Sequence, residues 1–149
     1  MDQNGQNAGG VSQQLDTMVC ELIAEFLDNL AAGTVPGVVA CIEDADLHRC
    51  QVAFTDDGEE ACLEGAAQYI SQHAMGIKDE GIGRIERYAI AYFGCVDFDD
   101  GYNDALLVSF YERPNDTGYS AYVLVDGMGK GDGFMWSDPE PAGEETPLI

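Results

Sequence analysis

From residue 85 onward the hydrophobic rhythm of the chain changes, and this restricts the fold more than any other feature. IERYAIAYFGCVDF (85–98), ALLVSFYER (105–113) and YSAYVLVD (119–126) are rich in β-branched and aromatic residues and follow a period of two. The breaks between them are short. A parallel connection needs a crossover of about a dozen residues or more, so three such runs predict an antiparallel meander. GFMW (133–136) reads as a fourth, short strand after a glycine-rich turn.

Upstream the pattern is different. SQQLDTMVCELIAEFLDNLAAG places Leu15, Val19, Leu22, Ile23, Phe26 and Leu30 at spacings of three and four, which is the apolar stripe of a helix. Ser12 stands where an N-cap belongs, and Gly33 lies past the end. VVACIE (38–43) is a continuous apolar run that suits a buried strand, and LHRCQVAF (47–54) alternates. Joined by an acidic turn, the two predict a hairpin. Asp57, with Glu60 three residues on, reads as a capping box for a second helix ending at Gly76, with Leu63, Ala66, Ala67, Ile70 and Ala74 as its small-sided stripe.

The element order is therefore α-β-β-α-β-β-β-(β). Runs of strands broken by helices, without strict alternation, predict an α+β fold. The simplest packing sets two helices on one face of a five- or six-stranded, mainly antiparallel sheet with a C-terminal meander. Residues 1–10 are expected to be disordered, 11–137 to form a single domain, and 138–149 (DPEPAGEETPLI) to be an acidic, Pro-rich tail without periodicity. In element order alone, the arrangement is similar to the start of roadblock-type and profilin-like folds; a roadblock-like order implies a homodimer.

Charge limits the classes of partner. The 28 acidic residues against six basic ones give a formal net charge of -22, spread over both halves. Such a field repels nucleic-acid phosphate and anionic lipid, so direct nucleic-acid or membrane binding is not expected. The five cysteines lie in apolar runs without a CxxC pair and read as small buried hydrophobes of a reducing compartment. MDQNGQNAGG has neither a basic n-region nor an apolar h-region, and no apolar run approaches 18 residues, so a cytoplasmic protein is expected.

Motifs with chemical meaning are few. VDFDDGYND (96–104) fails as an EF-hand, because the ligand positions ahead of Gly101 fall on Val96 and Phe98 and the flanks read as strands. It reads as a hairpin turn, and Asp97, Asp99 and Asp104 are weak cation candidates only. DGMGKGDG (126–133) lacks the spacing and following helix of a phosphate loop and reads as a flexible turn. His48 and Cys50 share strand parity, but an acidic surround raises a thiol pKa rather than activating it. No catalytic residue and no cofactor is assigned.

The tyrosines give the best functional hint. Tyr88 and Tyr92 share parity on one strand, Tyr111 lies on the next, and Arg87 and Arg113 (with Arg84) cluster at the strand ends. An aromatic sheet face with polar tips is a natural contact surface. The expected function is a non-catalytic protein-binding module whose partner is another protein or a second copy. Two alternatives are carried: an acidic DNA mimic that inhibits a basic DNA-binding protein, and a small enzyme built on Cys95, His48, Asp97 and the three arginines.

Overall fold

The computed structural model describes residues 12–55, 58–98 and 101–149. Helix α1 (Gln13–Ala31) is followed by β1 (Val38–Asp44), β2 (Arg49–Phe54), α2 (Glu59–Gln72), β3 (Ile85–Phe98), β4 (Gly101–Glu112), β5 (Gly118–Asp126), β6 (Met135–Trp136) and β7 (Glu140–Glu145). Every pairing is antiparallel, in the order β2-β1-β3-β4-β5, and both β6 and β7 pair with the far edge of β5. The α+β class and the meander are as the sequence predicts. The expected disorder of residues 1–10 and the cap at Asp57 lie outside the described residues, and α2 begins behind Gly58 with no side-chain cap.

The helices do not share a face. α1 buries Leu15, Met18, Leu22, Phe26 and Leu30 against Val39 and Cys41 of β1, Ala89 and Ala91 of β3, and Leu106 and Val108 of β4. α2 buries Cys62, Ala66 and Ile70 against Val38, Ala40 and Ile42, the opposite parity of β1. The one-face expectation is thus corrected, for a reason the sequence itself contains. All seven residues of β1 are buried. A strand apolar on both sides needs a cover on both sides, as in a central strand. At about 1.5–3 kcal/mol for each fully buried large apolar side chain, the α1 layer is a major source of stability.

The expected tail is also different. Residues 140–145 pair with β5 from Tyr122↔Glu140 to Gly118↔Glu145, and all six residues are exposed. A strand held by main-chain bonds at a sheet edge carries no hydrophobic period, so pattern reading had nothing to detect. Among the described residues, no helix is long and apolar enough to cross a membrane.

One polar group joins the layers at the N-terminal end of α1. Glu43, 2% exposed, accepts Arg87 Nη1 at 2.6 Å and Arg49 Nε at 2.8 Å. Arg87 Nε donates to Glu112 at 2.8 Å, and Glu112 also accepts the Ser12 hydroxyl at 2.8 Å. That Ser12 oxygen in turn caps α1 by accepting Leu15 N–H. Arg49 Nη1 reaches Glu21 on α1 at 2.6 Å. Four strands and a helix therefore meet on two guanidinium groups. Nearby, the buried Asp44 carboxylate pins the β1–β2 turn to the loop before β3. It accepts the N–H groups of Gly83, His48 and Asp46 and the His48 ring nitrogen. Burial alone would raise its pKa; the N–H groups of Gly83 and His48 and the other bonds outweigh that and hold it below 3.8.

Removing one partner of a buried ion pair leaves the other charge uncompensated, which costs about 3–5 kcal/mol. Arg87→Ala is expected to lose that much in urea denaturation; a variant with the wild-type midpoint would show that the group adds nothing. Asp44, with its lowered folded pKa, contributes stability that is present above pH 3.8 and is lost as pH falls through the folded value. Asp44→Asn should therefore be less stable near neutrality and show a flatter loss of stability on acidification, measured by denaturation at a series of pH values.

Candidate binding surfaces

The predicted tyrosines do lie on one face, but the chain covers part of it. Tyr88 and Tyr111 pair directly across β3 and β4, with ring centroids 5.7 Å apart, and both are buried. The cover is Leu148 and Ile149. Leu148 N–H donates to the Tyr88 hydroxyl at 3.0 Å, and Ser71 Oγ on α2 donates to the Leu148 carbonyl at 3.0 Å. Leu148 and Ile149 pack on the same apolar cluster as α2. Tyr111 donates to the Asn115 carbonyl at 2.6 Å. Burial pushes the Tyr88 phenol up to about 12, partly offset by the Leu148 N–H.

Tyr92 remains half-buried, beside its cross-strand partner Leu107, whose other neighbour is Tyr122. It also lines a cleft of about 270 Å³ with Val38, Phe54 and Cys62. Arg87 is buried in the ion group, away from any contact surface. Arg113 Nε donates to the Ile85 carbonyl, and Arg84 is exposed with Glu86 at 4.0 Å. The arginines are thus internal ties or isolated surface charges, and they do not build one cationic pocket.

The other candidates are dispersed as well. Asp97 and Asp104 are exposed on the distal part of the β3–β4 hairpin, and Asp99 lies outside the described residues. Among the described residues no group of three or more His, Cys, Asp or Glu is placed to hold a metal ion. Cys95 is exposed beside Asp104, at 3.9 Å. His48 bonds Asp44 at the opposite end of the sheet, where Asp44 pairs with Ile85. Ten residues of strand separate Ile85 from Cys95, about 33 Å at the usual rise. The Cys50 thiol meets the Tyr69 hydroxyl at 3.5 Å, on the α2 side. Of the cysteines, Cys41 and Cys62 are buried as expected, whereas Cys20 and Cys95 are exposed.

A surface that the sequence did not reveal lies on the other side of the molecule. Cys20, Ala24, Leu27 and Ala31 recur along one flank of α1. Because three of them are small, that flank leaves an open groove of about 600 Å³ against Phe134, Trp136 and Pro139. Ile23 completes its floor, and Asp28 and Asp132 stand at its lining. Trp136 is 59% exposed, with its ring 5.7 Å from that of Phe134. Burial, and then the Asp16 carboxylate, push the Cys20 thiol up, so it is a neutral apolar wall near pH 7.

The glycine-rich DGMGKGDG stretch builds the groove's end. Gly129 N–H donates to the Leu30 carbonyl at 2.9 Å, closing the C-terminal turn of α1. A Cβ on Gly33 would stand 3.3 Å from Gly129 Cα, and both residues have positive φ. Two glycines are what allow the loop to approach the helix end so closely. The motif is a packing device. Comparison with protein-family models, with curated proteins and with solved structures found no match.

The raised Tyr88 pKa has a defined consequence. A phenol whose folded pKa exceeds its unfolded value of 10 contributes stability that is complete below pH 10 and is lost as pH rises toward 12. Tyr88→Phe should flatten this alkaline loss. At neutral pH it should cost about 1 kcal/mol for the bond to Leu148. Denaturation at pH 7 and across the alkaline range, with tyrosinate absorbance followed in parallel, measures both.

Proposed function

We propose that this chain is a non-catalytic, cytoplasmic protein-binding module, and that its docking surface is the groove between α1 and Trp136. The observation that carries this reading is an indole 59% exposed at the edge of an apolar trough. A large aromatic side chain left in water beside an apolar groove gains most when a partner covers it, and Trp is the residue most enriched among interface hot spots. Asp28 and Asp132 in the lining, within a chain of net charge -22, favour a partner segment that combines apolar side chains with flanking lysine or arginine. The tyrosine face, first expected to bind, is a less favourable site because Tyr88 and Tyr111 are already covered.

The test is affinity capture from the native lysate at low and high salt, using wild type, Trp136→Ala and Trp136→Phe. A partner bound through the groove should persist at high salt. Trp136→Ala should weaken it by about 2 kcal/mol or more, roughly thirtyfold, and Trp136→Phe should restore part of that. Ultracentrifugation and thermal denaturation of the variants check that the fold is intact. Capture of a basic DNA-binding protein that leaves with salt and ignores Trp136 would instead support DNA mimicry.

A further inference from the structure

The far edge of the sheet is filled by a segment that contributes almost nothing to the core until its last residues. All six residues of β7 are exposed, so its pairing with β5 rests on main-chain bonds. Ordering each of its residues costs about 1–2 kcal/mol of conformational entropy, with no burial of side chains in return. The anchor lies beyond it, where Leu148 is held through both its N–H and its carbonyl and packs with Ile149 on the α2 cluster. Residues 140–149 thus behave as an extended peptide bound to a groove, by strand addition along β5 and by an apolar plug against Tyr88. The connection to the rest of the chain is Asp138-Pro139, outside any helix or strand, and it follows Ser137, whose N–H donates to the Leu124 carbonyl of β5 and whose hydroxyl accepts the Leu124 N–H.

Few buried contacts and one short anchor are the features of a segment that can open without global unfolding. Opening frees the β5 edge from Gly118 to Tyr122 and uncovers the Tyr88 hydroxyl. Such an edge recruits an extended strand. We infer that its partner is residues 140–149 of a second copy, exchanged reciprocally to give a two-fold dimer. The occupant is argued from the segment already seated there: Leu148 and Ile149 fit the plug site, and Pro141 and Gly143 fit the bulged register opposite Ser120 and Ala121. An identical arm remakes all of these contacts in trans, which is why arm exchange is a low-cost route to dimers. Two chains of charge -22 repel one another, so added salt favours the exchange.

The experiment uses the full chain with a photoreactive leucine analogue at position 148, mixed in equal amounts with a heavy-isotope-labelled copy of the same protein. Protein concentration and salt are varied, sedimentation gives the oligomeric state, and mass spectrometry reads the cross-linked peptides. Exchange predicts a dimer whose population rises with concentration and salt, with position 148 joined to the α2 or Tyr88 peptide as often in mixed-mass as in same-mass pairs. Leu148→Asp should abolish that dimer. Same-mass pairs alone under every condition would overturn the inference, because the arm would then stay in its own chain. A dimer that persists in Leu148→Asp would also overturn it, by assigning self-association to another surface.

Discussion

The contact on which the rest of the structure depends is the one between Arg87 and Glu43 inside the α1 face of the sheet. It fixes β3 against β1, and through Arg49 and Glu112 it extends to β2 and β4. The Ser12 hydroxyl carries it to the first turn of α1. Main-chain ladders tolerate slippage by two residues, whereas an ion group with three carboxylates on two guanidinium forks does not. A shift of β3 by one pair would separate Arg87 from both of its acids. Such groups are weak contributors to net stability and well suited to specifying register.

Much of the architecture was legible because it rests on periodicity. The α1 stripe from Leu15 to Leu30 is buried as read, with Met18 and Leu27 added to it. The hairpins and the meander follow from alternation and short breaks. What pattern reading lost was the side of the sheet on which each helix packs. The apolar run 38–42 of β1 carried that information, since a continuous apolar run has no free face. Two helices and a run of that kind together require one helix on each side.

The candidate surfaces were less legible for physical reasons. Tyr88 and Tyr111 share a face, as strand parity requires, but parity cannot tell that Leu148, sixty residues on, folds back over them. The groove beside Trp136 arises from a long-range approach of the 126–136 segment to α1, enabled by Gly33 and Gly129. Its one local signal was a tryptophan in a short strand after a glycine-rich turn. The weak signal for β7 reflects its chemistry. Pro141 and three glutamates on an exposed edge discourage pairing with foreign strands, and the same residues erase the alternation that identifies a strand.

Glu43 and Glu112 are balanced by Arg49 and Arg87 within the molecule, so the net charge of -22 lies outside this ion group, with Asp44 its one buried carboxylate among the described residues. Sharing 8192 Å² of accessible surface among 22 net charges leaves about 370 Å² for each, a mean spacing of about 19 Å. The Debye length at physiological ionic strength is only about 8 Å. Duplex DNA differs in kind: it strings one charge per about 1.7 Å along its helix axis and holds a condensed layer of counterions to release. A cation near the protein's surface at that ionic strength is held mainly by the few carboxylates beside it.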